Sequence, residues 1–194
     1  MYRNIVFFFL VLVIFANTSV SAKEFKDKDI LGRWYTEKTI QEIDQNNHPV
    51  DIKLCMSTEY FKNHMSNGQG EIILNSNFED DNDSFELAMA WFFRGSEEWQ
   101  ITEQSLLEKM VDVKIGIKYL VFKINGNKIE DETILKTFRD QFEGINQIFY
   151  AGMTSDSHII SFDKDYFVTE ELQDDGTKRN MQFNRTNKMI EGCR

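Results

Sequence analysis

Apolar and polar residues alternate with a period of two along most of this sequence. Successive side chains of a β-strand point to opposite faces, so the pattern is typical of strands that bury one face. The clearest case is the segment FELAMAWFF, whose apolar row consists of Phe85, Leu87, Met89, Trp91 and Phe93. A chain dominated by such segments is predicted to be an all-β protein.

Short turn-forming sequences separate the alternating segments, namely NNHP, NGQG, EDDNDS, RGSE, NGN and DDGT. Asn-Gly or Asp-Gly between two alternating segments is a strong hairpin signal, because the tight turn needs positive φ angles. About nine or ten short strands with such turns predict a mainly antiparallel sheet, closed as an up-and-down β-barrel of about eight to ten strands. Closure suits such a chain because it leaves no exposed strand edge.

Residues 128–143, KIEDETILKTFRDQFE, break the alternation. Their apolar residues recur at helical spacing, acidic residues crowd the first turn, and Gly144 follows as a candidate C-cap. The segment is therefore predicted to form one amphipathic helix, which could cover one end of the barrel.

The first 22 residues have a different character from the rest. Arg3 precedes an uninterrupted apolar run over residues 5–15, and Val20 and Ala22 stand where small residues usually precede a signal-peptidase cut. That run is too short to cross a hydrocarbon core of about 30 Å. We predict a signal peptide over 1–22, one domain over 23–194, and secretion or a periplasmic location. No integral membrane segment is expected after signal removal.

Acidic residues outnumber basic ones, with 32 Asp and Glu against 22 Lys and Arg and a formal net charge of −10. Nucleic acids and anionic membranes attract basic surfaces, because binding releases counterions from their phosphates. The balance therefore argues against both as partners.

Motifs that would indicate catalysis or a cofactor are missing from the sequence. The three histidines, His48, His64 and His158, are far apart, and no His-x-His or Glu-x-x-His pair suggests a metal site. Neighbouring acids such as Glu97 and Glu98 point to opposite faces of a strand and cannot act as one acid–base couple. We expect no enzymatic activity, no cofactor and no metal.

Two cysteines, Cys55 and Cys193, occur in the chain. An even number in an exported protein favours one disulfide, although two free thiols remain the alternative.

Gly32 and Trp34 open the first alternating segment, and Arg185 stands on the last one. This arrangement resembles the lipocalins and the wider calycin superfamily, in which a Gly-x-Trp on the first strand packs against an arginine of the last strand. Residues 158–185 are also similar to the end of many bacterial lipocalin-like domains. The resemblance implies that Gly32, Trp34 and Arg185 form a structural plug at one barrel end. It also implies a disulfide from an early strand to the C-terminus.

The resemblance further implies a non-enzymatic protein that binds or carries a small hydrophobic molecule inside the barrel. Apolar walls with a few polar groups are typical of such sites. The predicted ligand contacts are Phe85, Leu87, Met89, Trp91, Phe93, Leu120, Phe122 and Tyr150. The same residues could instead fill the barrel completely. In that alternative the protein is an interaction or inhibitor module, and its acidic loops EDDNDS and RGSEEW contact a protein partner.

Overall fold

The computed structural model describes residues 25–43, 47–80, 82–142, 150–172 and 176–193. The predicted signal peptide, the helix cap at Gly144 and most of the segment 145–153 lie outside these residues.

One antiparallel sheet contains the nine strands assigned in the described residues. The strands are β1 (Gly32–Ile43), β2 (Pro49–Tyr60), β3 (Met65–Asp80), β4 (Asp83–Thr102), β5 (Ser105–Ile124), β6 (Asn127–Lys128), β7 (Thr154–Phe162), β8 (Tyr166–Leu172) and β9 (Lys178–Thr186). Two helices accompany them, α1 (Asp27–Ile30) before the first strand and α2 (Glu132–Phe142) between β6 and β7. No helix in the described part of the chain is both long and apolar enough to cross a membrane.

The sheet closes into a ring. The strand order is β4-β3-β2-β1-β9-β8-β7-β5-β6, and an additional pairing joins β4 to β5. Eight strands therefore form the ring in up-and-down order, while the two-residue β6 is attached to β5. The prediction of a closed, mainly antiparallel sheet is confirmed at this level.

Two predicted turns are wrong, because NGQG lies inside β3 and RGSE lies inside β4. Their glycines serve close packing instead. A Cβ atom on Gly70 would collide with the Phe93 ring, and one on Gly95 would meet the Asp112 carbonyl at 2.5 Å. The chain turns between β2 and β3 at residues 61–64, where His64 has a φ of 59°.

The predicted helix begins later than expected. Its first predicted residue, Lys128, belongs to β6 and pairs with Lys123 of β5, because two strand residues follow the turn and continue the hairpin. Asp131 precedes α2, and its carboxylate accepts hydrogen bonds from the backbone N–H groups of Thr133 and Ile134. This cap satisfies amide groups that the first helical turn leaves without partners. In the segment predicted as the next strand, the described residues from Tyr150 onward form a turn.

Buried hydrophobic side chains fill one end of the ring. Only three residue pairs join β1 to β9 and five join β5 to β7, and both sets lie at the end that holds α1. The buried hydrophobic cluster at this end consists of Phe25, Ile30, Trp34, Tyr60, Trp99, Leu106, Ile159, Phe167 and Phe183. We call it the closed end.

A second cluster covers the inner face of the long strands further from the closed end. Ile72, Met89 and Trp91 are its buried members, and partly buried side chains pack against them. Those side chains are Ile52, Leu54, Leu74, Phe93, Ile115, Ile117 and Leu120. We call this the upper cluster. It belongs to β2–β5 and has no member on β7–β9.

A disulfide joins Cys55 on β2 to Cys193, with Cα atoms 5.2 Å apart and a sequence separation of 138. The prediction of one disulfide is confirmed. The C-terminal segment also binds the outer face of the sheet through hydrogen bonds, from Ile190 N to Ser57 Oγ and from Cys193 N to a Glu71 carboxylate oxygen.

Candidate functional site

The closed end is built around Trp34 and Arg185. The Arg185 guanidinium carbon lies 4.1 Å from the centre of the indole ring, and its nitrogens donate to the carbonyls of Asp29, Leu31 and Lys164. Trp34 is fully buried, and its indole N–H donates to the Ile30 carbonyl. Such stacking on an aromatic face is favourable by about 0.5–2 kcal/mol. Arg185 therefore links the last strand to α1 and to the indole ring of the first strand.

Gly32 is required by the same arrangement. Its φ of +111° disfavours residues with a side chain, and a Cβ atom there would lie 2.9 Å from Arg185 Nη1. Gly32, Trp34 and Arg185 therefore form one packed unit, and these are the residues for which the resemblance implies a structural plug.

A cavity of about 200 Å³ lies inside the ring between the closed end and the upper cluster. It shares Phe183 with the closed-end cluster, and Leu54 and Phe93 with the upper cluster. Its lining is mainly apolar and comes from β2, β3, β4, β5, β7, β8, β9 and Met153. The lining residues are Leu54, Met56, Gly68, Phe93, Gly95, Glu97, Glu108, Met110, Val113, Met153, Ser155, Ser157, Thr169, Glu171, Met181 and Phe183.

Four methionines, Met56, Met110, Met153 and Met181, form much of the cavity wall. Methionine side chains are flexible and polarisable, so they adapt to apolar groups of different shape. The walls are therefore suited to a small apolar body without dictating one outline.

Two carboxyl groups meet at the cavity end nearest the closed-end cluster. Glu97 and Glu108 are hydrogen-bonded to each other. The Tyr60 hydroxyl donates to Glu108 Oε1 at 2.7 Å, and the Ser155 hydroxyl approaches the second oxygen at 3.5 Å. The Ser66 hydroxyl donates to Glu97 at 3.3 Å. We call this group the carboxyl pair.

The surroundings alter the protonation of the carboxyl pair. Burial, reinforced by the charge of Glu97, raises the pKa of Glu108 to about 8, while the hydrogen bond from Tyr60 opposes this rise. Burial likewise raises the pKa of Glu97, opposed by hydrogen bonds from Ser66 and Glu108. Desolvation disfavours the charged form of a carboxyl, and two close carboxylates disfavour each other's ionisation. Near neutral pH the pair therefore holds one proton and one negative charge.

The ligand contacts predicted from the sequence are distributed over several places. Phe93 lines the cavity, whereas Met89, Trp91 and Leu120 belong to the upper cluster. Leu87 pairs with Phe122 across β4 and β5.

Aromatic rings continue beyond the upper cluster. The rings of Phe85 and Phe122 are 6.2 Å apart, and Phe138 of α2 packs on Phe122 at 4.7 Å. Helix α2 thus covers part of the inner face of β5, far from the closed end. Tyr150 is 57% exposed in the turn before β7. The role of all these residues in ligand binding stays a prediction.

Sequence reasoning missed the carboxyl pair. It correctly placed Glu97 and Glu98 on opposite faces, but the partner of Glu97 is on the next strand. One signal was present, because Glu97 continues the row that runs from Phe85 through Phe93 to Trp99. A glutamate within an otherwise apolar inward row indicates a polar group in the interior.

The described residues contain no group of three or more His, Cys, Asp or Glu side chains placed to hold a metal ion. No protein-family model matches the sequence, and no curated protein matches it significantly. The geometry of the cavity and its carboxyl pair is therefore the basis for assigning a function.

Proposed function

We propose that this chain is an exported, non-enzymatic, lipocalin-like protein that binds a small, mainly apolar molecule inside its ring of strands. The observation that carries the proposal is the interior cavity, which is walled by four methionines, Phe93 and Phe183. Apolar pockets with a few convergent polar groups are the usual form of small-molecule sites. The disulfide supports export, since such bonds persist in oxidising compartments.

The Gly32, Trp34 and Arg185 arrangement supports the lipocalin-like assignment, and the cavity favours a ligand-binding barrel over a filled one. Its size limits the ligand. A cavity of about 200 Å³ is smaller than the roughly 300–1,000 Å³ of pockets for drug-sized molecules. An apolar cavity of about 150 Å³ accommodates benzene. The best fit is therefore a molecule with one ring or a short chain, and removal of apolar surface from water drives its binding.

The proposal is tested by NMR of methionine methyl groups during titration with phenethyl alcohol, a neutral one-ring probe. Binding inside the ring should shift the signals of Met56, Met110, Met153 and Met181. Met65 and Met189, which do not line the cavity, should remain unchanged. Shifts confined to Met65 and Met189, or no saturable shift, would contradict binding in this cavity.

A variant pair on β7 provides the matched control. Ser157→Phe places a ring in the cavity and should abolish the probe-induced shifts, because the volume for the ligand is filled. His158→Phe places the same ring on the exposed outer face of the same strand and should leave binding unchanged.

A further inference from the structure

The cavity carries negative groups at several points on its wall. Among the described residues that line it there are three glutamates, Glu97, Glu108 and Glu171, and no Lys, Arg or His. The titratable groups that contact Glu108 are Tyr60 from β2 and Glu97 from β4, and Glu171 lines the cavity from β8. The lining residues from β3, β7 and β9 are uncharged, namely Gly68, Ser155, Ser157, Met181 and Phe183, and Ser66 of β3, which contacts Glu97, is uncharged too.

Within the described residues, the side chains outside the carboxyl pair that donate hydrogen bonds to it are neutral. Tyr60 and Ser155 donate to Glu108, and Ser66 donates to Glu97. Hydroxyl donors stabilise a carboxylate but do not neutralise its charge. A negative charge in mainly apolar surroundings is costly unless it binds a proton or a cation.

We propose that the natural ligand is a small amphipathic amine whose ammonium group binds between Glu97 and Glu108 while its apolar body lies among the cavity methionines. This inference rests on the proposed function, because it assigns the chemistry of the same cavity. An ammonium group supplies three hydrogen-bond donors and the missing positive charge. A carboxylate ligand would instead meet like charge.

The distribution of polar and apolar groups supports this orientation. The carboxyl pair lies at one end of the cavity, whereas Phe93 and Leu54 lie at the other, where the upper cluster begins. A ligand with its charge at one end and an apolar group at the other matches this division. Two carboxyl groups alone are a poor site for a metal ion, which needs more ligands, but they suffice for an ammonium group.

The shared proton makes binding dependent on pH. Below the pKa of about 8 for Glu108, the pair keeps its proton and offers one negative charge to the amine. As the pH rises through this value the proton is lost and the second carboxylate becomes available. A primary amine stays protonated up to a pH of about 10, like the side chain of lysine. The preference for an amine over a neutral molecule should therefore increase between pH 6 and pH 8.5.

The test compares three probes that share a phenethyl group on the full exported protein: phenethylamine, phenethyl alcohol and hydrocinnamate. Methionine methyl shifts locate each probe, and calorimetry gives its Kd. We expect the amine to bind at least tenfold more tightly than the alcohol at pH 8, and hydrocinnamate to bind most weakly. Equal or tighter binding of the alcohol or hydrocinnamate would overturn the inference but leave the proposed function standing. Absence of cavity shifts with all three probes would overturn both.

Two double variants separate the carboxyl pair from general surface charge. Glu97→Gln/Glu108→Gln should bring the amine-to-alcohol ratio near one without weakening the alcohol. Glu98→Gln/Glu103→Gln makes the same two substitutions at exposed positions and should retain the preference. The opposite pattern would show that surface charge attracts the amine, and would refute the assignment. If the first double variant does not fold, the wild-type protein decides: a preference that stays flat from pH 6 to pH 8.5 refutes the carboxyl pair as its source.

Discussion

The hydroxyl group of Tyr60 donates a 2.7 Å hydrogen bond to Glu108 across the interior of the ring. Tyr60 belongs to β2 and is only 3% exposed, whereas Glu108 is on β5, 48 residues further along the chain. Since the phenol ring is packed in the closed-end cluster, this bond keeps the Glu108 carboxyl group inside the cavity. It also links the packed end of the ring to the candidate ligand site.

Stability should decrease as the pH rises from about 5 to 8.5. Burial raises the pKa of Glu108 from 4.5 to about 8, so the folded protein binds this proton more tightly than the unfolded chain does. The stabilising contribution is complete below the unfolded pKa and is lost as the pH passes the folded pKa. Glu108 alone contributes at most about 1.4 kcal/mol per pH unit to this slope, and urea unfolding at several pH values measures the total.

Glu108→Gln should flatten this pH dependence and raise stability at pH 8.5, because the neutral amide resembles the protonated acid. Glu97 keeps a raised pKa in that variant, so a shallower slope should remain. Glu98→Gln, on the outer face beside Lys109, serves as the control and should reproduce the wild-type slope. Identical slopes in the two variants would contradict the burial of the Glu108 proton.

Arg185→Lys should destabilise the protein by about 1–2 kcal/mol. A lysine cannot reproduce the planar stacking on Trp34, and its single ammonium nitrogen cannot reach the carbonyls that three separate guanidinium nitrogens contact. The arginine is partly exposed, so water replaces some of the lost bonds and limits the cost. Thermal unfolding followed by tryptophan fluorescence measures the change.

The matched substitution on the same strand is Arg179→Lys. Arg179 makes a 3.6 Å ion pair with Glu42 near the surface, and this pair should contribute less than about 0.5 kcal/mol. If both lysine variants melted at the same temperature, the plug would have no special role in stability.

Loss of the disulfide should cost about 2–5 kcal/mol, measured on Cys55→Ser/Cys193→Ser. The bond closes a loop of 138 residues, and a long loop gives a large entropic effect on the unfolded chain. A reducing agent should lower the melting temperature of the wild type but not of the double variant. Equal sensitivity of both proteins would show that reduction acts elsewhere.

The alternation in the sequence predicts the strands, but it does not predict the register of β5 against β4. Strict alternation would separate Val113, Ile115 and Ile117 from Glu108 and Phe122 on opposite faces. The pairing of β5 with β4 shifts by one residue between Ala90 and Trp91, and again between Ser96 and Glu97. Each shift exchanges the set of alternate β5 residues that faces inward, so the second shift restores the original set. Both groups therefore reach the interior. A β-bulge depends on pairing across strands and leaves no periodic trace in one strand.

The site was less predictable than the fold for a related reason. The alternation predicts that the β4 residues from Phe85 to Phe93 form an inward row. It does not predict which of them line the cavity and which pack in the upper cluster, because the neighbouring strands determine this. The sequence predicts turns at Gly70 and Gly95, whereas in the structure these glycines leave space for the Phe93 ring and the Asp112 carbonyl. Tertiary neighbours decide such positions, and local sequence does not reveal them.

Phe93→Ala should change which ligand size the cavity prefers. Phe93 is the predicted ligand contact that borders both the cavity and the upper cluster, so its removal should extend the cavity toward Trp91. We expect phenethyl alcohol to bind about tenfold more weakly, because it loses apolar contact, whereas naphthylethanol should bind more tightly than to the wild type. Calorimetric titration of both alcohols gives the ratio of the two affinities.

Phe92→Ala is the control for the same chemical change on the opposite face of β4. Its ring packs over Gly116, outside the cavity, so stability should fall while the ratio of the two affinities stays that of the wild type. Phe93→Ala should differ from it in ligand selectivity rather than in stability alone. A wild-type ratio in folded Phe93→Ala would show that Phe93 does not limit the binding space, and that the ligand lies elsewhere in the protein.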